Sequence, residues 1–326
     1  MMRNVVFVAL IAIVLFLSGC QDTGTSNGTE EMASFIGGTD ALKFSFVDSA
    51  PSSEVIEKTP FGVTMQIQNS GEAEVKKQDI VVEISGIVPS DFGKSNADMI
   101  KSPQVDFLAN KKTIDNQVIP GTQSYLDFGT YTYGTDLQGN MPFTLNARAC
   151  YAYYTNAVTK MCVRKDLLGA TVDPGKGCAV KGEKTVQNSG SPVQITTLSE
   201  TPSGKDRVSF TFTIEKKGTG DVFKYGGQVA CDDTNMNMKN KVLFTIDTGL
   251  AGLVCDAVES PYTYPAGSST TQYGGYITLF GGKRTVTCTQ VIAADKMLDF
   301  EKVVNMRLDY LYSEVVSKSI VVKNVN

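Results

Sequence analysis

Two Asp-Thr-Gly triplets, Asp22-Thr23-Gly24 and Asp247-Thr248-Gly249, are the residues of this chain best placed by type and spacing to do chemistry. A pair of carboxylates sharing a proton can activate water for hydrolysis. The second triplet follows the apolar run Leu243–Ile246, so it ends a strand in a turn; an Asp and a Gly at such a place also describe an ordinary β-turn. Asp22 stands two residues beyond Cys20 in a polar, aperiodic stretch, where no folded lobe is expected. A second candidate, Asp232-Asp233-Thr234-Asn235-Met236-Asn237, offers oxygens at alternate positions, as calcium loops do. Counted from Asp233, however, the sixth position is Met238 where such a loop turns on glycine. The twelfth is Phe244 where it needs glutamate. This run reads as a polar loop, and no metal site is expected. Histidine is absent from the whole chain. That removes the usual base near neutral pH, the commonest zinc ligand and the partner of a nucleophilic Ser or Cys. The expectation is a protein without catalytic activity and without a cofactor.

Cysteine chemistry points elsewhere. Leu17-Ser18-Gly19-Cys20 closes an apolar run from Val5 to Leu17 that follows Arg3. The run would be about 20 Å long as a helix, short of the ~30 Å hydrocarbon core, so a cleaved signal fits better than a membrane span. The tetrapeptide resembles the lipobox of prokaryotic lipoproteins. That resemblance implies cleavage before Cys20, a diacylglycerol on its thiol and attachment to a membrane from the extracytoplasmic side. Six further cysteines remain: Cys150, Cys162, Cys178, Cys231, Cys255 and Cys288. An even set in an exported chain implies disulfides. Cys150 and Cys162 lie equidistant from Asn156, so a hairpin over Ala147–Val163 would set them opposite each other. Cys255 ends one apolar run and Cys288 lies in the strand after Gly281-Gly282, which pairs these two. Cys178 is then left for Cys231.

The positioning elements follow from composition and period. Residues 1–19 are the signal peptide, and residues 20–38 a lipidated tether rich in Gly, Ser and Thr. Asn27-Gly28-Thr29 within the tether is an acceptor triplet for N-glycosylation. The formal charge of −4 is spread thinly, which argues against nucleic acid as a partner. Beyond the tether apolar residues recur at every second position: Leu42, Phe44, Phe46; Phe61, Val63, Met65, Ile67; Ile80, Val82, Ile84; Phe143, Leu145, Ala147, Ala149. This is the period of strands with one face in a core. One short helix over Ser90–Ile100 is the exception allowed by the pattern. The fold class is all-β.

The chain also repeats. Phe61–Lys77 aligns with Val208–Lys224 at an offset of 147, matching Gly71 to Gly218 and Val75 to Val222. Leu145–Val163 aligns with Val304–Val322 at an offset of 159, matching Asn146 to Asn305, Arg148 to Arg307, Tyr151 to Tyr310 and Tyr153 to Tyr312. The expectation is two β-sandwich domains of one design, residues 39–168 and 169–326, joined near Leu167–Lys176.

A last segment, Ser260–Tyr276, is uncharged and rich in Tyr, Ser, Gly and Thr, a mixture suited to binding loops. Tyr262, Tyr264, Tyr273 and Tyr276 are its candidate contacts, for a carbohydrate or a peptide. Tyr125–Tyr133 is a smaller analogue in the first repeat. With Phe61–Gly71 and Leu308–Tyr312, the chain resembles prokaryotic immunoglobulin-like surface domains, the CARDB-like (cell-adhesion-related) group in particular. With paired domains after a lipobox it is similar to small archaeal surface proteins. The resemblance implies tandem immunoglobulin-like sandwiches and an adhesion or scaffold role toward a surface protein or glycan. The Asp-Thr-Gly triplets resemble those of aspartic proteases, which carry one on each of two matched lobes. A hydrolase working by carboxylates alone is therefore the rival class.

Overall fold

Alternation of apolar and polar residues becomes twenty strands among the described residues, which in this computed structural model are 35–169, 177–262 and 271–324. Cys20, Asn27 and the rest of the signal and tether up to residue 34 lie outside them, as do residues 170–176 of the expected linker. The first half contributes β1 (Leu42–Phe46), β2 (Glu54–Ile56), β3 (Phe61–Asn69), β4 (Ile80–Ser85), β5 (Ile100–Lys101), β6 (Lys111–Lys112), β7 (Val118–Ile119), β8 (Gln123–Tyr131) and β9 (Met141–Val163). The second half opens with β10 (Gly182–Glu183), β11 (Gln187–Asn188), β12 (Val193–Pro202), β13 (Arg207–Lys216) and β14 (Asp221–Phe223). It continues with β15 (Lys241–Asp247), β16 (Leu253–Cys255), β17 (Glu259–Tyr262), β18 (Gln272–Thr278), β19 (Lys283–Val291) and β20 (Phe300–Lys323). Over Ser90–Ile100 the chain forms two single turns of 3-10 helix, Pro89–Phe92 and Asn96–Met99.

The strands form several sheets, antiparallel except where β2 runs parallel to β20: β1-β3-β8, β10-β12-β13-β19-β16, the hairpin β6-β7 and a ten-stranded sheet. The spine of the last is β17-β18-β15-β20-β9-β4-β5, with β2, β11 and β14 attached at its edges. The two smaller sheets pack on it. Phe44 of β1 meets Tyr151 of β9 at 5.7 Å between ring centroids, and Phe212 of β13 meets Phe244 of β15 at 5.3 Å. Both contacts lie on one face of the large sheet, because Tyr151 and Phe244 share the buried side of the same pleat.

Everything in the middle depends on β9 and β20. They run 23 and 24 residues, against a usual strand of five or six, and neither holds a glycine or a proline after Pro142. They pair antiparallel in unbroken register from Phe300↔Val163 to Val322↔Met141. Ala152 faces Leu311, and these are the same position in the two repeats. The pairing is therefore self-complementary about that point, as across a two-fold axis. Each long strand also serves both halves. β9 is joined by β4 at Asn146–Tyr151 and by β11 of the second half at Ala157–Val158. β20 is joined by β15 at Asn305–Asp309 and by β2 of the first half at Val321–Lys323. Residues Ser34–Asn326 form one compact unit, and this pairing runs across the expected division at residue 168.

The expected hairpin over Ala147–Val163 is corrected by the same fact. Cys150 and Cys162 lie twelve residues apart on one continuous strand, roughly 40 Å, and cannot bond. Cys150 instead bonds Cys231, and Cys162 bonds Cys178, so the expected link of Cys178 to Cys231 is also replaced. Both bonds fasten second-half segments onto β9. Cys255 and Cys288 bond as expected, from directly facing positions on β16 and β19. Three disulfides mark a protein of an oxidising, extracytoplasmic compartment.

The repeat has a packing cause. A Cβ on Gly71 would fall 2.0 Å from the Tyr153 hydroxyl, and one on Gly218 would fall 2.2 Å from the Tyr312 hydroxyl. These hydroxyls accept hydrogen bonds from the Ala73 and Gly220 backbone N–H groups, at 3.3 and 2.7 Å. Gly71 with Tyr153, and Gly218 with Tyr312, are one device used twice.

Two outcomes follow. Residues 35–168 expressed alone lack the strand that pairs along all of β9, and should show no cooperative melt by circular dichroism; mixing with residues 177–324 should restore one. A cooperative transition for 35–168 alone would contradict the shared-sheet account. Replacing both cysteines of a bond by alanine should cost about 4–5 kcal/mol for Cys150–Cys231, which closes 81 residues, and about 3 kcal/mol for Cys162–Cys178, which closes 16, read by urea unfolding.

Candidate functional site

Two clefts flank the paired long strands, and each is built around a repeat-equivalent arginine. The larger, about 860 Å³, takes in Arg148 of β9 together with β1 and the Ser313–Val316 stretch of β20. The smaller, about 560 Å³, takes in Arg307 and Asp309 of β20 with Asp247 and Gln272. Alternation along β9 and β20 sends Arg148 and Arg307 to the face away from the core, where each is held differently.

Arg148 is clamped. Its Nη2 lies 2.6 Å from the Asp233 carboxylate and donates to the Cys231 carbonyl at 2.8 Å, while Nε donates to Ser313 Oγ at 2.9 Å. The Cys150–Cys231 bond, two residues from Arg148 on the same face, brings that loop within reach. Asp233 also pairs with Lys239 at 3.2 Å. Its neighbour Asp232 accepts from the Thr234 N–H and hydroxyl, and Asn235 accepts from the Asn237 N–H. The oxygens read as a polar loop are thus used in turn bonds and ion pairs. Arg307 stacks on Tyr154, 3.9 Å from the ring centroid, and forms a two-pronged bond to Asp309.

Asp247 sits at the end of β15 and faces the smaller cleft. Its carboxylate accepts from the Thr271 hydroxyl at 2.7 Å, the Gly249 N–H at 2.8 Å and Gln272 Nε2 at 3.1 Å. Partial burial pushes its pKa up, but these donors and the Lys302 charge outweigh that and hold it below the ordinary carboxylate value. Such a group caps a turn and keeps its charge; it is poorly suited to share a proton. Asp22 lies outside the described residues.

The tyrosine candidates do not converge. Tyr264 lies outside the described residues, and of Tyr262 only the backbone, paired with Gly274, is described. Tyr273 and Tyr276 stand three positions apart on β18 and so point to opposite faces. The Tyr273 hydroxyl donates to the Cys255 carbonyl at 3.2 Å; that of Tyr276 donates to the Tyr225 carbonyl at 2.8 Å, with Lys224 4.2 Å above its ring. In the first-half analogue Tyr125 is exposed while Tyr131 and Tyr133 are buried.

The residues that sequence reasoning missed are Glu314 and Tyr151. Glu314 lines the larger cleft on the core face of β20, half-buried, and has no hydrogen-bond or ion-pair partner among the described residues. Burial, then the nearby Asp40 carboxylate, push its pKa up to about 7. Tyr151 is fully buried one register step away, and its hydroxyl has no hydrogen-bond partner. Burial and the Glu314 charge push it well above the ordinary tyrosine range. The signal was present in the repeat: where Tyr151 matches Tyr310, Glu314 matches Thr155, a change from a small hydroxyl to a carboxylate at one equivalent position.

No family model matches the chain, and no curated protein matches it. A solved structure, the secreted serine protease VesC from Vibrio cholerae, aligns with a TM-score of 0.18 and 7% identity, over 83% of this chain and 50% of that one. This chain spans half the length of that protein, and an alignment at this level carries neither fold nor activity across.

Glu314 sets a pH dependence whose sign is fixed. Its folded pKa lies above that of an unfolded glutamate, so the folded state holds the proton longer and stability falls as pH rises from about 4.5 to about 7. Buried Glu200, likewise pushed up to about 7, adds a slope of the same sign. Glu314→Gln should therefore lower the parent slope by its own share, not abolish it, and leave the protein more stable than the parent at pH 8 by about 1–2 kcal/mol, discounted for its partial exposure. Urea midpoints at pH 5 and pH 8 read it; an unchanged slope in the variant would refute the assignment.

Proposed function

We propose that this chain is an extracytoplasmic binding or scaffold protein, held to the cell membrane by a lipid on Cys20, whose two immunoglobulin-like halves present a recognition surface and do no chemistry. The observation that carries the reading is the β9–β20 pairing. It fuses two equivalent halves into one frame and leaves the larger cleft beside their joint. A long, continuously paired spine resists relative motion of the halves, which suits a presenting surface more than a closing active site. The immunoglobulin-like reading is supported by the face-to-face packing of the smaller sheets on the large one. It is also supported by the path of the first strand: β1 pairs with β3 in one sheet, and the chain then crosses to pair β2 with β20 in the other. Asp247, the best carboxylate for hydrolysis, is held charged by three donors. The membrane attachment rests on Leu17-Ser18-Gly19-Cys20, and the Gly- and Thr-rich tether, whose end at Ile36–Gly38 is bonded to the folded part, would lift that part roughly 20 Å from the headgroups.

Mass analysis of the protein from its native membranes should find Cys20 as the first residue carrying a diacylglycerol. In detergent phase separation the parent should enter the detergent phase, and Cys20→Ala should leave it. A full-length, unacylated precursor in the cell interior would overturn the reading.

A further inference from the structure

The edge of β20 that faces away from β9 is covered in three places. β15 pairs with Asn305–Asp309, β14 with Leu311–Ser313, and β2 with Val321–Lys323. Among the described residues no strand pairs with the seven positions between, 314–320. The direction of the free groups is fixed by the neighbours. Val321 N–H donates to the Ser53 carbonyl and Lys323 C=O accepts from the Glu57 N–H, both on the outer side. Since the register to β9 is unbroken, Val315, Ser317 and Ser319 present their N–H and C=O groups to the same side. This stretch borders the larger cleft, with Glu314 and Val316 on the core face and Val315 on the other.

The repeat supplies an internal control. At the equivalent place in the second half, the Thr155 hydroxyl lies 3.1 Å from the Tyr310 hydroxyl and donates to the Val193 carbonyl at 2.6 Å. Chain from the start of β12 fills that position. In the first half the matching groups, Glu314 and Tyr151, have no such partner, and a cleft stands there instead. Its cations are already engaged: Lys43 with Asp40 at 2.7 Å and Arg148 with Asp233. Glu314 is the carboxylate left over.

We propose that this open edge of β20 receives an extended peptide segment of a partner protein, which adds as a strand between β14 and β2 and sets a lysine or arginine side chain against Glu314. The inference rests on the binding reading above and names the ligand class of its cleft. Strand addition uses main-chain bonds for affinity and side-chain pockets for choice. The slot selects a single peptide strand. β14 and β2 flank it in the plane of the sheet, so the free edge is recessed by one strand spacing, about 4.8 Å. A second copy of this chain, recessed in the same way, could not bring its β20 into contact. Seven residues, about 23 Å, is the length accepted. A bound cation keeps Glu314 ionised, and its carboxylate can then accept the Tyr151 hydroxyl proton in a hydrogen bond.

The test uses the full mature chain in detergent and a fluorescein-labelled heptapeptide of alternating Thr and Val with a central Lys. Controls are the same peptide with central norleucine, the same peptide N-methylated at alternate residues, and cadaverine as competitor. The Lys peptide should bind saturably and slow amide exchange at Val315, Ser317 and Ser319. Norleucine, or Glu314→Gln in the protein, should weaken it about tenfold, as expected for one shielded charge pair. N-methylation should abolish binding. Ser317→Pro removes an outward donor and keeps the β9 backbone ladder, giving up only the exposed Ser317 Oγ–Asn146 Oδ1 bond at 2.7 Å. It should lose binding while keeping a cooperative melt shifted by no more than a few degrees, as Ser317→Ala, which keeps the donor, should show with binding intact. Absence of saturable binding, equal affinity for Glu314→Gln, binding without protection of those three amides, or full competition by cadaverine at matched concentration would each overturn the proposal. None of these results bears on acylation of Cys20, so the two readings fail separately.

Discussion

The antiparallel pairing of β9 with β20 is the constraint on which the rest of the structure depends. Each strand leaves its own half and becomes an edge of the other, so neither half can close its large sheet unaided. The fold follows from a sequence property that is easy to state: two stretches of more than twenty residues alternate without a glycine, a proline or a bulge. Unbroken alternation keeps most core residues of both halves on one face, Leu311 and Cys162 being buried on the other. A single inserted residue near Ala152 would turn one core outward.

The remaining devices serve that spine. Cys150–Cys231 and Cys162–Cys178 fasten second-half loops to β9 on the face away from the core, and the first of them delivers Asp233 to Arg148. On the core face, Tyr151, Tyr153, Tyr310 and Tyr312 meet around the pseudo-two-fold point, with neighbouring rings 6.0–6.4 Å apart. Phenols here fill volume as apolar rings and offer hydroxyls that pin the turns at Gly71 and Gly218. Glu72 ties the halves once more: its carboxylate accepts from the Ile36, Gly37 and Gly190 N–H groups.

How much of this was legible in the sequence differs by element. The period of two yields the all-β class and the buried faces of β1, β3 and β4. The matched Gly71/Gly218 and Tyr153/Tyr312 pairs mark positions that prove to be in mutual contact. Cys255 with Cys288 was readable because both lie at simple strand positions. The hairpin placed at Asn156 was not borne out, because the symmetry of two cysteines about it outweighed a stronger local fact: Asn156 has no turn-forming glycine or proline beside it, and the alternation passes straight through. Strand exchange between halves leaves no local signature at all. Alternation tells which face a residue takes, but the identity of the neighbouring strand is decided by contacts more than a hundred residues away.

The same symmetry explains why the cleft is where it is. Duplicated halves joined about a two-fold point begin with equivalent surroundings, so a difference between them isolates what one half does that the other does not. At the second-half position the small Thr155 hydroxyl lets the chain entering β12 lie close, and every polar group is satisfied. At the first-half position Glu314 is larger and charged, no group of β1 bonds it, and an edge, a carboxylate and a buried phenol are left unpaired together among the described residues. Unpaired groups of this kind cost stability, Glu314 most clearly above neutral pH. That the cost falls in one half alone, beside the stretch of β20 edge between β14 and β2 that no strand covers among the described residues, ties the open carboxylate and the open edge to one site.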